Sequence, residues 1–157
     1  MIRTGIGFDT HRFSPGIPLF LGGINIPFDF GLLGYSDGDV LIHSVIDSIL
    51  GACSLGDIGD YFPSSDSDFE NISSLILLEK TNEIIKKSSW DIVNIDATIV
   101  AEKPRLKKFV GEMENSLSII LKISLDQINI KSTSTDGLGM IGKGEGISVL
   151  SIATVQK

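Results

Sequence analysis

Cysteine, histidine and basic charge are all scarce in this chain, and each shortage narrows what the protein can be. Cys53 is the single cysteine among 157 residues, so no internal disulfide can form, and a reducing compartment is the simplest setting. Its neighbours in "VIDSILGACSL" mark it as a small buried hydrophobe. No apolar run approaches the roughly 18 residues that a membrane-crossing helix needs, and the N-terminus lacks the charged and then continuously apolar stretch of a secretory signal. The expected location is the cytoplasm, or an organellar stroma for the mature form of an imported protein. Thirteen basic residues face twenty acidic ones, giving a formal charge of −7 with no basic run longer than two. That balance argues against a nucleic acid or an anionic membrane held through phosphate contacts and favours a small molecule or another protein as partner. Only two histidines occur, His11 and His43.

What is present is enough apolar material for a core. At 42% hydrophobic residues the chain suits one domain spanning 1–157, without linker, repeat or low-complexity tract. Residues 1–8 read as a strand. In "PLFLGGINIP", residues 18–27, two short apolar runs flank Gly22-Gly23, the signal of a two-residue hairpin turn. Residues 36–53 carry apolar side chains at helical spacing, with Ser36, Asp37 and Asp39 suited to the helix start. Residues 56–71 read as an overlong loop, which points to motion or function, and 72–88 as a helix ending in Lys86-Lys87. "VNIDATIVAE" alternates with Val93, Ile95, Ala97, Ile99 and Ala101 on one face; Pro104 suits the first position of a further helix. "QINIKSTST" reads as a strand, "DGLGMIGKGEG" as a glycine-dense loop, and "ISVLSIATV" as a closing strand apolar on both faces. This order predicts an α+β fold, a mixed β-sheet with helices packed on one face and the other left for oligomerisation.

Residues i and i+2 of an extended segment point the same way, so Asp9 and His11 in "GFDTHRF" can aim an oxygen and a nitrogen at one point. With His43 from the helix they make a three-ligand set that leaves a fourth position open, as catalytic zinc sites do. A polar strand end and a satisfied helical histidine are the alternative readings. Asp39, His43 and Asp47 stand at i, i+4 and i+8 on one helix face, where a carboxylate can orient the imidazole; a solvated acidic stripe is the alternative. In "STSTDGLGMIGKGEG", hydroxyls, Asp136 and glycine N–H groups can hold a phosphate and a hard cation, although an ordinary loop reads the same way.

Four motifs taken together, "GFDTHRF", "GLLGYSDGDVLIHSVIDSILGACSLGDIGDYFP", "ATIVAEKPRL" and "KSTSTDGLGMIGKGEGI", closely resemble the 2-C-methyl-D-erythritol 2,4-cyclodiphosphate synthase family, in order from about residue 1 to 155. The resemblance implies a homotrimer with active sites at subunit boundaries. It implies zinc held by Asp9, His11 and His43, and a second divalent cation, Mg2+ or Mn2+, at the diphosphate near Asp136. The implied reaction is cyclisation of 4-diphosphocytidyl-2-C-methyl-D-erythritol 2-phosphate with release of CMP, in the non-mevalonate (MEP) route to isoprenoid precursors. Tyr35 and Ser134 fall on catalytic positions, and Ser36 and Asp47 on substrate-binding ones. Asp57, Ile58 and Gly59 correspond to the segment that meets the methylerythritol, and Phe62, Pro63, Ser64, Ser65 and Asp66 to a mobile substrate loop. Ala101, Glu102, Lys103, Pro104, Arg105, Leu106 and Lys107 occupy the cytosine pocket; Thr133 and Thr135 fall at the nucleotide's phosphates. Met140 and Lys143 lie near the trimer axis. The chain departs from the family at Tyr35 (usually histidine), Ser134 (threonine), Asp136 (glutamate), Met140 (an aromatic) and Lys143 (arginine). A zinc hydrolase acting on a nucleotide diphosphate and a non-catalytic nucleotide-binding trimer are the rival readings.

Overall fold

The computed structural model describes residues 1–157, and its backbone is organised by one long strand, β1 (Ile2–Pro15). β1 runs well past the eight residues expected because β7 (Gly146–Gln156) pairs with it antiparallel from Ile2 opposite Gln156 to Arg12 opposite Gly146. β4 (Phe30–Leu32) pairs with its last residues, and β5 (Asp91–Val100) with the far side of β7. β6 (Ile128–Thr133) then adds parallel to β5, closing a mixed five-stranded sheet in the order β4-β1-β7-β5-β6. The expected hairpin forms from β2 (Leu19–Leu21) and β3 (Ile24–Ile26), and Gly22 and Gly23 supply the two successive positive φ angles that its tight turn needs.

Three helices cover one face of the sheet: α1 (Val40–Cys53), α3 (Ser74–Lys87) and α4 (Val110–Leu121). α1 lies against β1 and β7 with α3 over it, so most of its circumference is buried, as a helix apolar nearly all round requires. Asp39, with no exposed surface, caps it by accepting from Ile42 N at 3.1 Å. The same carboxylate accepts from Gly22 N at 3.0 Å and Gly23 N at 2.7 Å, tying the hairpin turn to the helix start. Cys53 is buried in the core as expected, and burial pushes its thiol up to about 11. No helix of the chain is long and apolar enough to cross a membrane.

The approach of α1 to the sheet depends on the glycines of "TGIGF". A Cβ on Gly7 would stand 2.8 Å from Ser48 N and closer still to the Ser44 carbonyl oxygen, and one on Gly5 would overlap the Ser48 carbonyl and Ala52 N. Ser44 and Ser151 fasten the contact: Ser44 Oγ donates to Ser151 Oγ at 2.8 Å, and Ser151 Oγ to the Ser44 carbonyl at 2.7 Å. The opposite face of the sheet carries Ile6, Phe8, Leu150 and Ile152, all exposed, with Ile6 at 65% and Phe8 at 61%.

Three local expectations change. α4 begins at Val110 after a 3-10 turn (Lys107–Phe109), and Pro104 lies in the connection rather than at the first helical position. The cause is upstream: Ala101 N donates to the Thr133 carbonyl at 2.9 Å, so strand pairing persists past β5 and the chain must turn before a helix can start. In β5, Ile92 rather than Val93 faces the core, because a register shift between Ile92 and Asn94 moves the alternation by one residue. The 56–71 segment contains a single turn, α2 (Ile58–Tyr61), built on a capping box between Asp57 and Asp60, and a 3-10 turn (Ser67–Phe69) capped by Asp66.

Gly7→Ala should destabilise the fold by about 1–3 kcal/mol through overpacking against the α1 backbone. Gly111→Ala in α4, where an added methyl meets nothing within 4 Å, should stabilise it by about 0.5–1 kcal/mol. Chemical denaturation at matched protein concentration measures both, and a Gly7→Ala protein as stable as the parent would refute the close-contact account.

Candidate metal centre and substrate pockets

β1 carries Asp9 and His11 on its helix side, and the first turn of α1 brings His43 down to meet them. Asp9 Oδ2 stands 2.8 Å from His11 Nε2 and 3.1 Å from His43 Nδ1, and those two ring nitrogens are 3.2 Å apart. One ligand atom from each residue lies within 4.8 Å of the other two, so the group can hold a metal ion. The outward nitrogens have partners of their own. His11 Nδ1 donates to the Leu33 carbonyl, while His43 Nε2 lies 2.9 Å from Ser36 Oγ and 3.0 Å from Ser74 Oγ. An oxygen and two imidazole nitrogens, each free to point inward, suit a divalent metal of the zinc type.

Burial alone would raise the Asp9 carboxyl, but hydrogen bonds and charge from His11 and His43 outweigh it and hold it far below the usual carboxylate range. Burial likewise works to lower the His11 pKa, and Asp9 overcomes it, so the net shift is upward. A proton and a metal ion therefore compete for His11 over a wider pH range than at an isolated histidine.

The triad forms one wall of a pocket of about 230 Å³ shared with Tyr35, Ser36, Asp47, Ile58, Phe62 and Ser64. These are the sequence-expected residues that the fold gathers around the triad. Tyr35 donates its hydroxyl to the Asp66 carbonyl at 3.1 Å; desolvation and the charges of Glu70 and Asp66 push its phenol up, so it carries its proton at neutral pH. Asp57, Gly59, Pro63, Ser65 and Asp66 continue the same segment without lining the pocket. The Asp57 carboxylate is occupied by Gly59 N at 2.8 Å and Asp60 N at 3.2 Å, and Asp66 accepts from Asp68 N at 3.0 Å.

Asp39 and Asp47 do not orient His43, although their helical spacing suggested it. Asp39 is spent on backbone N–H groups at the helix start, and Asp47 accepts from Ile58 N at 2.8 Å. The groups on the outer His43 nitrogen are Ser36 and Ser74. Ser74 escaped the sequence reading because it lies 31 positions downstream, in a loop-to-helix stretch with no local signal. Phe69 and Leu77, which also line the pocket, were missed for the same reason.

The second set of expected residues assembles elsewhere. Ala101, Glu102, Pro104, Arg105, Leu106 and Lys107 line a pocket of about 430 Å³ together with Thr133 and Ser134. Lys103 and Lys143 instead face a larger cavity of about 720 Å³ against Phe13, Phe28 and Phe30, which none of the triad residues lines. Glu102 Oε1 accepts from Thr135 N at 2.9 Å, Thr135 Oγ1 at 3.0 Å and Gly137 N at 3.2 Å; bonds from the Gly137 and Thr135 backbones lead the causes that hold its carboxyl below the usual range. Asp136 is exposed at φ 52°, with Ser134 Oγ 3.3 Å from its Oδ1, and belongs to no cluster of three metal-binding side chains. Met140 is exposed on the one-turn helix α5 (Gly139–Gly142).

Sheet register separates the two sets. Asp9 stands opposite Val149, Val149 opposite Ile99, and Ile99 opposite Ser132. Three strand spacings therefore lie between the triad and the Ser132–Ser134 edge, roughly 14 Å.

The fold and the triad define the class: an α+β protein with an Asp-His-His cluster, able to hold a divalent metal, in the wall of a pocket. The YgbB family model matches residues 2–156. The 2-C-methyl-D-erythritol 2,4-cyclodiphosphate synthase of Clostridium beijerinckii is 52% identical over 155 residues, covering 99% of this chain and 98% of that protein. The synthase of Clostridium botulinum strain Okra is 48% identical over 151 residues, 96% of this chain and 97% of that one. Among solved structures, the bifunctional IspDF from Campylobacter jejuni superposes with a TM-score of 0.95 at 41% identity, covering 99% of this chain, which spans 42% of that longer one. IspF of Plasmodium falciparum, solved as a CDP complex, gives 0.86 at 32% identity over 98% of this chain and 95% of that one. The chain belongs to the YgbB family of 2-C-methyl-D-erythritol 2,4-cyclodiphosphate synthases, and it is a lyase-type enzyme.

His43→Ala removes one of the three donors and should strip bound divalent metal after dialysis while leaving the helical circular dichroism intact; mass-spectrometric metal analysis of the purified protein checks this, and full retention would refute the ligand set. In the parent protein, metal uptake should weaken as pH falls through the raised His11 pKa, because the proton then wins the shared nitrogen.

Proposed function

We propose that this chain, acting as one domain, converts 4-diphosphocytidyl-2-C-methyl-D-erythritol 2-phosphate to 2-C-methyl-D-erythritol 2,4-cyclodiphosphate with release of CMP, in the MEP route to isoprenoid precursors. The observation that carries the proposal is the convergence of the Asp9, His11 and His43 donor atoms in a chain of this family. An oxygen of the substrate's 2-phosphate bonds to the β-phosphorus. The bond from that phosphorus to the bridging oxygen of the α-phosphate breaks, and CMP carries that oxygen away. No water is consumed and no protein nucleophile is needed, so the task is to press two anions together and hold them in line.

Zinc at the triad supplies a positive charge that holds and polarises phosphate oxygens. Around it, Ser36 and Tyr35 bring hydroxyls to the pocket, and Ile58, Phe62 and Ser64, which line the same pocket, meet the methylerythritol. Residues Ala101–Lys107 take the cytosine. Thr133 and Ser134 offer hydroxyls to the nucleotide's phosphates beside Thr135, whose hydroxyl holds Glu102, and Asp136 holds Mg2+ or Mn2+ there, a cation commonly bound by a single carboxylate plus phosphate oxygens.

The two halves of this machinery lie three strands apart across the sheet of one chain, which supports a homotrimer whose sites form where the triad pocket of one subunit faces the Ala101–Asp136 region of the next. The exposed Ile6, Phe8, Leu150 and Ile152 supply an apolar face for that assembly. The cytoplasm, or an organellar stroma after import, is the proposed location.

Incubation with the cytidyl substrate and Mg2+, followed by phosphorus NMR, should yield CMP and a cyclic diphosphate; the absence of both would sink the assignment, and an open-chain product carrying solvent oxygen would make the protein a hydrolase. Phe8→Asp should convert the trimer to monomers in analytical ultracentrifugation and abolish turnover; a trimer that persists would place the interface elsewhere.

A further inference from the structure

We infer that Ser74, locked by Asp37, is the positioning residue that decides which nitrogen of His43 faces the metal site. The inference rests on Asp9, His11 and His43 being metal ligands. Ser74 is fully buried at the first residue of α3, and its hydroxyl donates to Asp37 Oδ1. Asp37 Oδ2 also accepts the Ser74 backbone N–H at 2.8 Å, so one carboxylate holds both the main chain and the side chain of this serine.

A serine hydroxyl has a single proton. With that proton given to Asp37, Ser74 Oγ can only accept, and its 3.0 Å contact with His43 Nε2 requires that nitrogen to carry the hydrogen. Neutral imidazole has one N–H, so with the hydrogen on Nε2 the Nδ1 lone pair is free for a metal; without one, Asp9 Oδ2 at 3.1 Å is an acceptor that competes for the same hydrogen through Nδ1. Nδ1 is the atom that lies 3.1 Å from Asp9 Oδ2 and 3.2 Å from His11 Nε2, where a cation would sit.

Ser36 cannot make the same choice. Its Oγ is 2.9 Å from His43 Nε2, but its proton is uncommitted, and the hydroxyl can donate or accept. The 3.3 Å contact between the two serine oxygens gives the Ser36 proton a resting place on Ser74. Asp37 does a second job in the same contact: Ser73, at the capping position of α3, makes no side-chain cap, and the Asp37 carboxylate takes over one of the free N–H groups at the helix start. The seating of α3 and the tautomer of His43 thus hang on one carboxylate, 37 positions upstream of the serine it holds.

Long-range proton–nitrogen NMR on Zn2+-loaded, histidine-labelled parent protein should show His43 with its hydrogen on Nε2 and Nδ1 on the metal; a ring that binds through Nε2 overturns the inference. Chelator competition with Zn2+ should show Ser74→Ala binding about 10–100-fold more weakly than the parent, with Ser36→Ala within about threefold and both retaining parental circular dichroism. A Ser74→Ala affinity within about twofold of the parent, or Ser36→Ala as damaging as Ser74→Ala, overturns the role assigned to Ser74. Should Ser74→Ala fail to fold, the tautomer of the parent protein decides. A parent protein that takes up no Zn2+ would count against the ligand set instead, and the two failures are told apart by that control.

Discussion

Where α1 crosses β1, backbone meets backbone. Gly5 and Gly7 present no side chains, and the helix carbonyls of Ser44 and Ser48 lie where their Cβ atoms would stand. Helices usually pack on sheets through intervening side chains; here the helix sits a layer deeper, and Ser44 and Ser151 hydrogen-bond across the contact. His43 is the preceding residue to Ser44, so the depth of the helix sets the reach of the imidazole. At ordinary packing distance the ring would stop short of Asp9 and the three donors would not converge. A feature of the hydrophobic core therefore controls a polar site.

Carboxylates that serve two elements at once supply the rest of the precision. Asp39 binds the helix start and the hairpin turn; Asp37 binds Ser74 by both its backbone and its hydroxyl. Each is part-buried or fully buried, and each is satisfied by donors rather than by a basic partner, which spares the cost of desolvating a second charge. The "SDGD" run thus contributes more to architecture than to direct chemistry: Ser36 faces the pocket, while the two aspartates beside it hold elements in register.

Much of this was legible in the amino-acid sequence because it rests on local rules. The Gly22-Gly23 turn, the capping residues ahead of α1 with Asp39 among them, the alternation of β5 from Ile95 onward and the spacing of Asp9 and His11 are all short-range, and the helices-on-one-face sheet follows from their order. What escaped was set by partners far away in the chain. β1 grew to Pro15 because β7 was there to pair with it, and α4 started late because Ala101 was still pairing with Thr133. Ser74 carried no sign of its role, since its importance comes from Asp37 and His43 rather than from its neighbours. Asp39 and Asp47 misled for the opposite reason: helical spacing put them near His43, but each found backbone N–H groups of its own.

Glu102 draws out one more point. It stands just past β5, in the segment proposed to read the base, yet its carboxylate is clasped by the N–H groups of Thr135 and Gly137 in the segment proposed to handle phosphate. The two stretches leave paired strands, joined last by Ala101 N and the Thr133 carbonyl, and Glu102 carries that pairing on beyond the end of the ladder. On the proposed roles, this clasp would hold the base and phosphate sites at a fixed distance, so that a nucleotide would be measured as one object rather than gripped at two unrelated points.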